Sequence, residues 1–207
     1  RPGMKNALVL GHGYTAGFLT PRLRAEGWQV TGTTRDAPDR VRAAGATPLL
    51  WPGDGDGLRA AIAGADAILI SAGPDQGGDP VLAAFAQDIA QAHPRWLGYL
   101  STTGVYGDRN GGWVDEGSEL APSTRRGRDR VVAEQAWQAL AVRHGLPLHI
   151  FRLAGIYGPG RGPFAKLRAG TARRIVKPGQ IFSRIHAEDI AQVLLASINA
   201  PRPGAVY

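Results

Sequence analysis

The chain has no cysteine, so neither a disulfide framework nor a thiolate metal site is open to it. No apolar run approaches the ~20 residues that a membrane helix needs. No signal-peptide pattern opens the sequence, since a strand-like run begins almost at once. A cytoplasmic protein without a membrane partner is the expectation. Low-complexity blocks are also missing. The 29 glycines and 15 prolines are spread through 207 residues as punctuation between apolar runs, which argues against disorder. No internal repeat is found, and no His, Asp and Glu spacing reads as a metal site. Arg1, Pro2 and Gly3 precede Met4 and read as a frayed tail. One domain over residues 4–207 is expected, because 43% hydrophobic residues suffice for one substantial core.

The charge is one-sided. A net charge of +7 raises nucleic acid as a partner, and many of the cations fall in residues 125–130 and 161–174. Neither stretch is interleaved with aromatics, and no zinc-finger or RNA-recognition signature accompanies them. No nucleic-acid partner is expected. A basic cleft serves a phosphorylated cofactor or an anionic small-molecule substrate equally well.

Short apolar runs rich in β-branched residues recur, each followed by a helical pattern. Strands are expected at 7–10, 29–33, 48–51, 67–71, 96–101, 148–153 and 181–185. Helices are expected at 14–26, 39–44, 57–63, 80–92, 128–143 and 187–198. In the fourth of these, Val81, Leu82, Phe85 and Ile89 fall on one face. Strand alternating with helix means parallel strands joined by right-handed crossovers, with helices on both faces. The fold class is therefore α/β, a doubly wound parallel sheet of the Rossmann type. Pro21 lies inside the first helix and should kink it.

Ligands in such sheets bind at the carboxyl ends of the strands, where the strand order reverses. After the first strand comes Gly11-His12-Gly13-Tyr14-Thr15-Ala16-Gly17, in which Gly11, Gly13 and Ala16 satisfy G-x-G-x-x-G/A between a strand and a helix. Gly11 permits the tight turn, Gly13 has no side chain to block a pyrophosphate, and Ala16 lets helix and strand approach. The backbone N–H groups opening the helix, those of Tyr14 and Thr15 included, then point at the phosphates with the macrodipole favouring the anion. His12 is expected to face solvent or phosphate.

About twenty residues on, an NAD enzyme carries an acidic residue for the ribose 2′-OH. Here the second strand ends Thr33-Thr34-Arg35-Asp36. Arg35 and two hydroxyls favour a 2′-phosphate through a charge-assisted contact, so NADP is the expected cofactor. Asp36, one register step away, leaves NAD open. Ser71, Ala72 and Gly73 end the fourth strand with small residues that let a ribose lie close.

Three further motifs follow in order: Tyr99-Leu100-Ser101-Thr102-Thr103-Gly104-Val105-Tyr106-Gly107, then Arg152-Leu153-Ala154-Gly155-Ile156-Tyr157-Gly158-Pro159-Gly160, then Ile185-His186-Ala187-Glu188-Asp189. With the glycine turn they resemble the extended short-chain dehydrogenase/reductase family, also called the NAD-dependent epimerase/dehydratase family. The resemblance runs from about Leu8 to the end. It implies a Rossmann domain with a small C-terminal substrate region, short here and drawing on residues 155–185. It also implies carbonyl or hydroxyl chemistry on a sugar-like or other small molecule. By the family's pattern Asp54 would lie against the adenine and Thr102 would polarise the substrate oxygen. Thr102 also reads as a strand-end hydroxyl satisfying backbone groups.

The family's Tyr-x-x-x-Lys pair would fall on Arg126 and Arg130, and residues 126–137 contain neither Tyr nor Lys. Arg130 suits ribose or phosphate oxygens, but a guanidinium cannot cycle a proton near neutral pH. The expected acid/base is therefore relocated, with Tyr106 beside Thr102 as the catalytic candidates. Arg184 stands only two residues before His186, unlike the spacing of the nucleotide-sugar members. His186 with Asp189 reads as a capping pair, and Tyr157 as packing. Two functions stay open: an NADP-linked oxidoreductase or epimerase, or a non-catalytic NADP(H)-binding protein that reports cofactor state to a partner. The stretch 204–207 is expected to join the sheet, and a homo-oligomer is open as cover for a cleft with one wall.

Overall fold

The computed structural model describes residues 5–162, 170 and 183–207. Six parallel strands, β1 (Asn6–Leu10), β2 (Gln29–Thr34), β3 (Thr47–Leu50), β4 (Ala67–Ile70), β5 (Trp96–Thr102) and β6 (Leu148–Leu153), lie in the order β3-β2-β1-β4-β5-β6. The order reverses between β1 and β4. That is the doubly wound α/β arrangement, and it opens a crevice at the carboxyl ends of those two strands.

The near-continuous apolar runs follow from burial on both faces. Along β1, Ala7 and Val9 point to one side and Leu8 and Leu10 to the other. On the first side lie α1 (Tyr14–Ala25), α2 (Pro38–Ala44) and α6 (Ala187–Asn199), with Leu19 and Leu23 of α1 in one cluster with Ile190 and Leu194 of α6. On the second lie α3 (Gly55–Gly64), α4 (Pro80–Ala92) and α5 (Arg125–His144), contributing Leu58, Ile62, Phe85, Ile89 and Trp137.

Several boundaries differ from expectation for local reasons. The helix α5 begins at Arg125 because Thr124 accepts a hydrogen bond from the Gly127 N–H and caps it. A short 3-10 turn, Thr103–Tyr106, follows β5 where only a loop was expected. A small second sheet pairs β7 (Gly155–Tyr157) with β8 (Arg184–His186) in parallel. Ile181 and Phe182 of the expected strand, and much of the expected substrate region, lie outside the described residues. The helix α1 passes through Pro21 unbroken. Pro21 is on the exposed face, where water can reach the Gly17 carbonyl that has lost its donor. The stretch 204–207 does join the sheet: Tyr207 exchanges backbone hydrogen bonds with Ile150 and Arg152 of β6, and its ring stacks on Phe151. No helix among the described residues is long and apolar enough to cross a membrane.

Candidate functional site

Gly11 leaves β1 with φ of +91°, a conformation that other residues rarely adopt, and a Cβ there would stand 2.8 Å from the Ala72 nitrogen. Only glycine lets the turn sit against the end of β4. The turn is then pinned from β2: Gly11 N–H donates to Thr33 Oγ1 at 2.7 Å and His12 N–H to the Thr33 carbonyl at 2.8 Å. Beyond the pin lies open space, since the nearest atom to a Cβ built on Gly13 is the Gly11 carbonyl at 4.0 Å. No side chain caps α1 at Gly13 or α2 at Ala37, whereas Asp54, Asp79, Thr124 and His186 cap α3, α4, α5 and α6. Free N–H groups at an uncapped helix start, with room in front of them, fit an anion. A dinucleotide pyrophosphate suits that donor set.

His12 does not face solvent or phosphate. Its ring is buried against Gly32, where a Cβ would come within 2.6 Å of it, and its Nε2 shares a hydrogen bond with Thr20 Oγ1 at 2.7 Å. Burial pushes its pKa below the usual value, and the nearby Arg40 charge pushes the same way. The imidazole is a neutral wedge beneath the turn. Tyr14 ties the turn to the far end of the chain, donating from its hydroxyl to the Pro159 carbonyl at 2.8 Å beneath the Arg161 guanidinium. Thr15 and Ala16 are buried, Ala16 packing into the core below.

At the end of β2 both hydroxyls are buried and accept from backbone N–H groups. Thr33 accepts from Gly11, and Thr34 accepts from the Ala37 N–H at 3.1 Å. Arg35 and Asp36 are both exposed. Sequence reasoning missed Arg40, whose guanidinium donates to the His12 carbonyl at 3.2 Å and so stands beside the same turn. The signal was available, because Pro38 opens α2 and puts Arg40 in its first turns. Asp54 is the cap of α3, accepting from Gly57 N–H at 2.8 Å.

Ser71 and Ala72 donate from their backbones to the Leu10 carbonyl, holding the end of β4 beside the glycine turn. A Cβ on Gly73 would meet Arg130 Nη2 at 2.8 Å. Arg130 also donates to the Leu100 carbonyl at 2.8 Å and the Tyr99 hydroxyl at 3.2 Å. Gly11, Ala72, Gly73 and Arg130 thus line one continuous strip across the carboxyl ends of β1, β4 and β5. Burial, only partly offset by the Arg130 charge, pushes the Tyr99 phenol up to about 12, which removes it as a base near neutral pH.

Tyr106 is not at the mouth of the cleft. It is buried, and its hydroxyl accepts from Arg152 Nη1 at 3.1 Å. Arg152 in turn forks onto Glu134, with the closest contact 2.8 Å and side chains 6% and 1% exposed. Ser101 donates to the same carboxylate at 2.5 Å. Burial works against the Arg152 charge, and the hydrogen bonds to Glu134 and Tyr106 outweigh it, so its pKa is raised. This closed network, joining β5, α5 and β6, was not legible from spacing. Thr102 accepts from Gly104 N–H at 3.1 Å and stays half-buried at the strand end. His186 caps α6 through Nδ1, and Tyr157 packs edge-on against it. Among the described residues no cluster of His, Asp and Glu could hold a metal. Two clefts of about 250 and 480 Å³ open near the amino ends of the strands, by Lys5 and Trp28 and by Arg24 and Thr47, away from this strip.

A reversed parallel sheet with a glycine turn at its switch point defines a dinucleotide-binding α/β protein. The chain belongs to the NAD(P)H-binding family, whose model matches residues 11–201. It is 34% identical over 222 residues to protein YeeZ of Escherichia coli K12, covering 99% of this chain and 77% of that protein. A functionally unknown conserved protein from Silicibacter pomeroyi DSS is 58% identical with a TM-score of 0.90, over 99% of this chain and 71% of that one. A putative epimerase from Burkholderia cenocepacia J2315 is similar in fold, at 22% identity and a TM-score of 0.74, over 100% of this chain and 75% of that one.

Proposed function

We propose that the protein is an NADP(H)-dependent oxidoreductase or epimerase acting on a small carbonyl or hydroxyl compound. The observation that carries the reading is the uncapped start of α1 opening onto free space at Gly13, while four later helices are capped by side chains. The N–H groups of that turn would hold the pyrophosphate. Arg35, with Arg40 beside it, would hold a 2′-phosphate and favour NADP over NAD. When bound, the cofactor supplies or accepts a hydride.

This chain's part in the reaction is then electrostatic. Arg130 is a fixed cation at the ends of β4 and β5, and a preorganised cation lowers the energy of an oxyanion developing beside it. Thr102 offers its hydroxyl to the same oxygen. Neither residue cycles a proton at neutral pH, so solvent water delivers it. Tyr106, closed into the Arg152 network, shapes the floor of the site.

The test is loss of NADPH absorbance across a panel of small aldehydes and ketones. Turnover should fall at least roughly tenfold in Thr102→Ala, the scale of one lost hydrogen bond to a charged centre. Full turnover in that variant would remove Thr102 from the chemistry. The enclosure of Tyr99 and Tyr106 favours a second reading, a non-catalytic NADP(H)-binding protein. An inert NADPH that still raises the melting temperature would select it.

A further inference from the structure

We infer, building on the cofactor reading above, that the substrate is a small anion, a carbonyl compound bearing a carboxylate or phosphate group gripped by Arg126. Arg126 and Arg130 stand four residues apart on α5, so their side chains leave the same face of the helix. Arg130 fixes where that face looks, because its guanidinium reaches Leu100, Tyr99 and the space over Gly73. Arg126 is one turn nearer solvent. It is exposed, and it makes no hydrogen bond or ion pair among the described residues.

Among the described residues no carboxylate lies within ion-pair distance of it. The first turn of α5 holds no acidic residue, and Asp129 lies 4.0 Å from Arg125. Glu134 is buried on Arg152. Residues 125–130 carry four arginines against that single aspartate, and the start of the helix adds about half a positive charge more. Like charges held this close repel, and a bound anion offsets that repulsion. The planar fork of a guanidinium matches two oxygens of one carboxylate or phosphate. A neutral sugar hydroxyl would leave the charge uncompensated. The cofactor's anionic parts are provided for elsewhere, since the glycine turn and Arg35 belong to β1 and β2, with β4 between them and β5.

The test is calorimetric titration of the protein saturated with the oxidised cofactor NADP+, which cannot reduce a carbonyl, at ionic strength fixed with chloride. Pyruvate and dihydroxyacetone phosphate are compared with their neutral counterparts, acetone and dihydroxyacetone. At least one anion should bind saturably and its neutral counterpart should not, and which anion binds identifies carboxylate or phosphate as the group recognised. Arg126→Ala should weaken that binding at least roughly tenfold, and Arg126→Lys by less, because charge remains without the fork. Arg143→Ala, an exposed arginine in the last turn of α5, should change nothing. No saturable binding of either anion, or equal affinity in Arg126→Ala, overturns the inference. Titration of the protein with NADPH alone, and with the anions alone, separates the two readings. A protein that binds the anion but never NADPH loses the cofactor reading alone, and one that binds NADPH but neither anion loses this inference alone.

Discussion

The β1–β2 side of the sheet leaves donors unused, whereas the β5–β6 side uses its polar groups on one another. At Gly13 the start of α1 has no side-chain cap, and Arg35 stands exposed beyond the strand. Across the sheet, Ser101, Glu134, Arg152 and Tyr106 close into one buried network, and Trp137 donates to Asp79 at 3.0 Å. Unused donors facing open space mark where a polyanion goes. Satisfied buried groups mark what holds the frame. Arg130 and Thr102 sit where the two regimes meet.

The largest effect should come from opening the closed side. Glu134→Ala leaves Arg152 charged and unpaired in the interior, which should cost about 3–5 kcal/mol of unfolding free energy. The pair Glu134→Leu with Arg152→Met should recover most of it in urea denaturation. At temperatures where the single variant is folded, its NADPH affinity should match the parent's. A large loss of NADPH affinity would mean that the two sides are one site.

A pH effect of intermediate size comes from one imidazole on each side. His149 is buried, its Nε2 accepts from Arg202 N–H at 2.9 Å, and its Nδ1 faces the Leu97 carbonyl at 3.2 Å. Burial lowers its pKa and that of His12. Both folded values lie below the unfolded value of ~6.5, so their full contribution is present above that pH. As pH falls below it the unfolded chain takes up protons that the folded chain refuses, and stability drops by at most ~1.4 kcal/mol per pH unit for each group. Urea midpoints should decline from about pH 7 to about pH 5.5, and less steeply in His149→Gln. A flat profile would contradict neutral burial.

The smallest effect separates a cap from a contact. Asp54→Ala should lose ~1 kcal/mol of stability, as N-caps do, and leave NADPH affinity unchanged. Weaker NADPH binding would return Asp54 to the adenine.

Most of the sheet was legible because strands buried on both faces read as apolar runs, and the glycine turn was legible because G-x-G-x-x-A falls between a strand and a helix. What escaped depends on neighbours distant in sequence. The ring of His12 is set by the absence of a side chain at Gly32, and Tyr106 is claimed by Arg152, 46 residues away. Thr33 and Thr34 looked like phosphate ligands because their local positions were right. In the fold both are buried, and their oxygens accept from the Gly11 and Ala37 N–H groups. Residue type located the site, and only three-dimensional pairing showed which groups remain free to act.

Direct titration of the unmodified protein with NADPH and NADH tests the central claim, that the unused donors of the β1–β2 side are built for a phosphorylated dinucleotide. One charge-assisted pair at Arg35 is worth about 1–3 kcal/mol, which corresponds to roughly ten- to hundredfold tighter binding of NADPH. Arg35→Ala should remove most of that difference and leave NADH affinity nearly unchanged. Equal or tighter binding of NADH would show that Asp36 governs the pocket and that the account of this side is wrong.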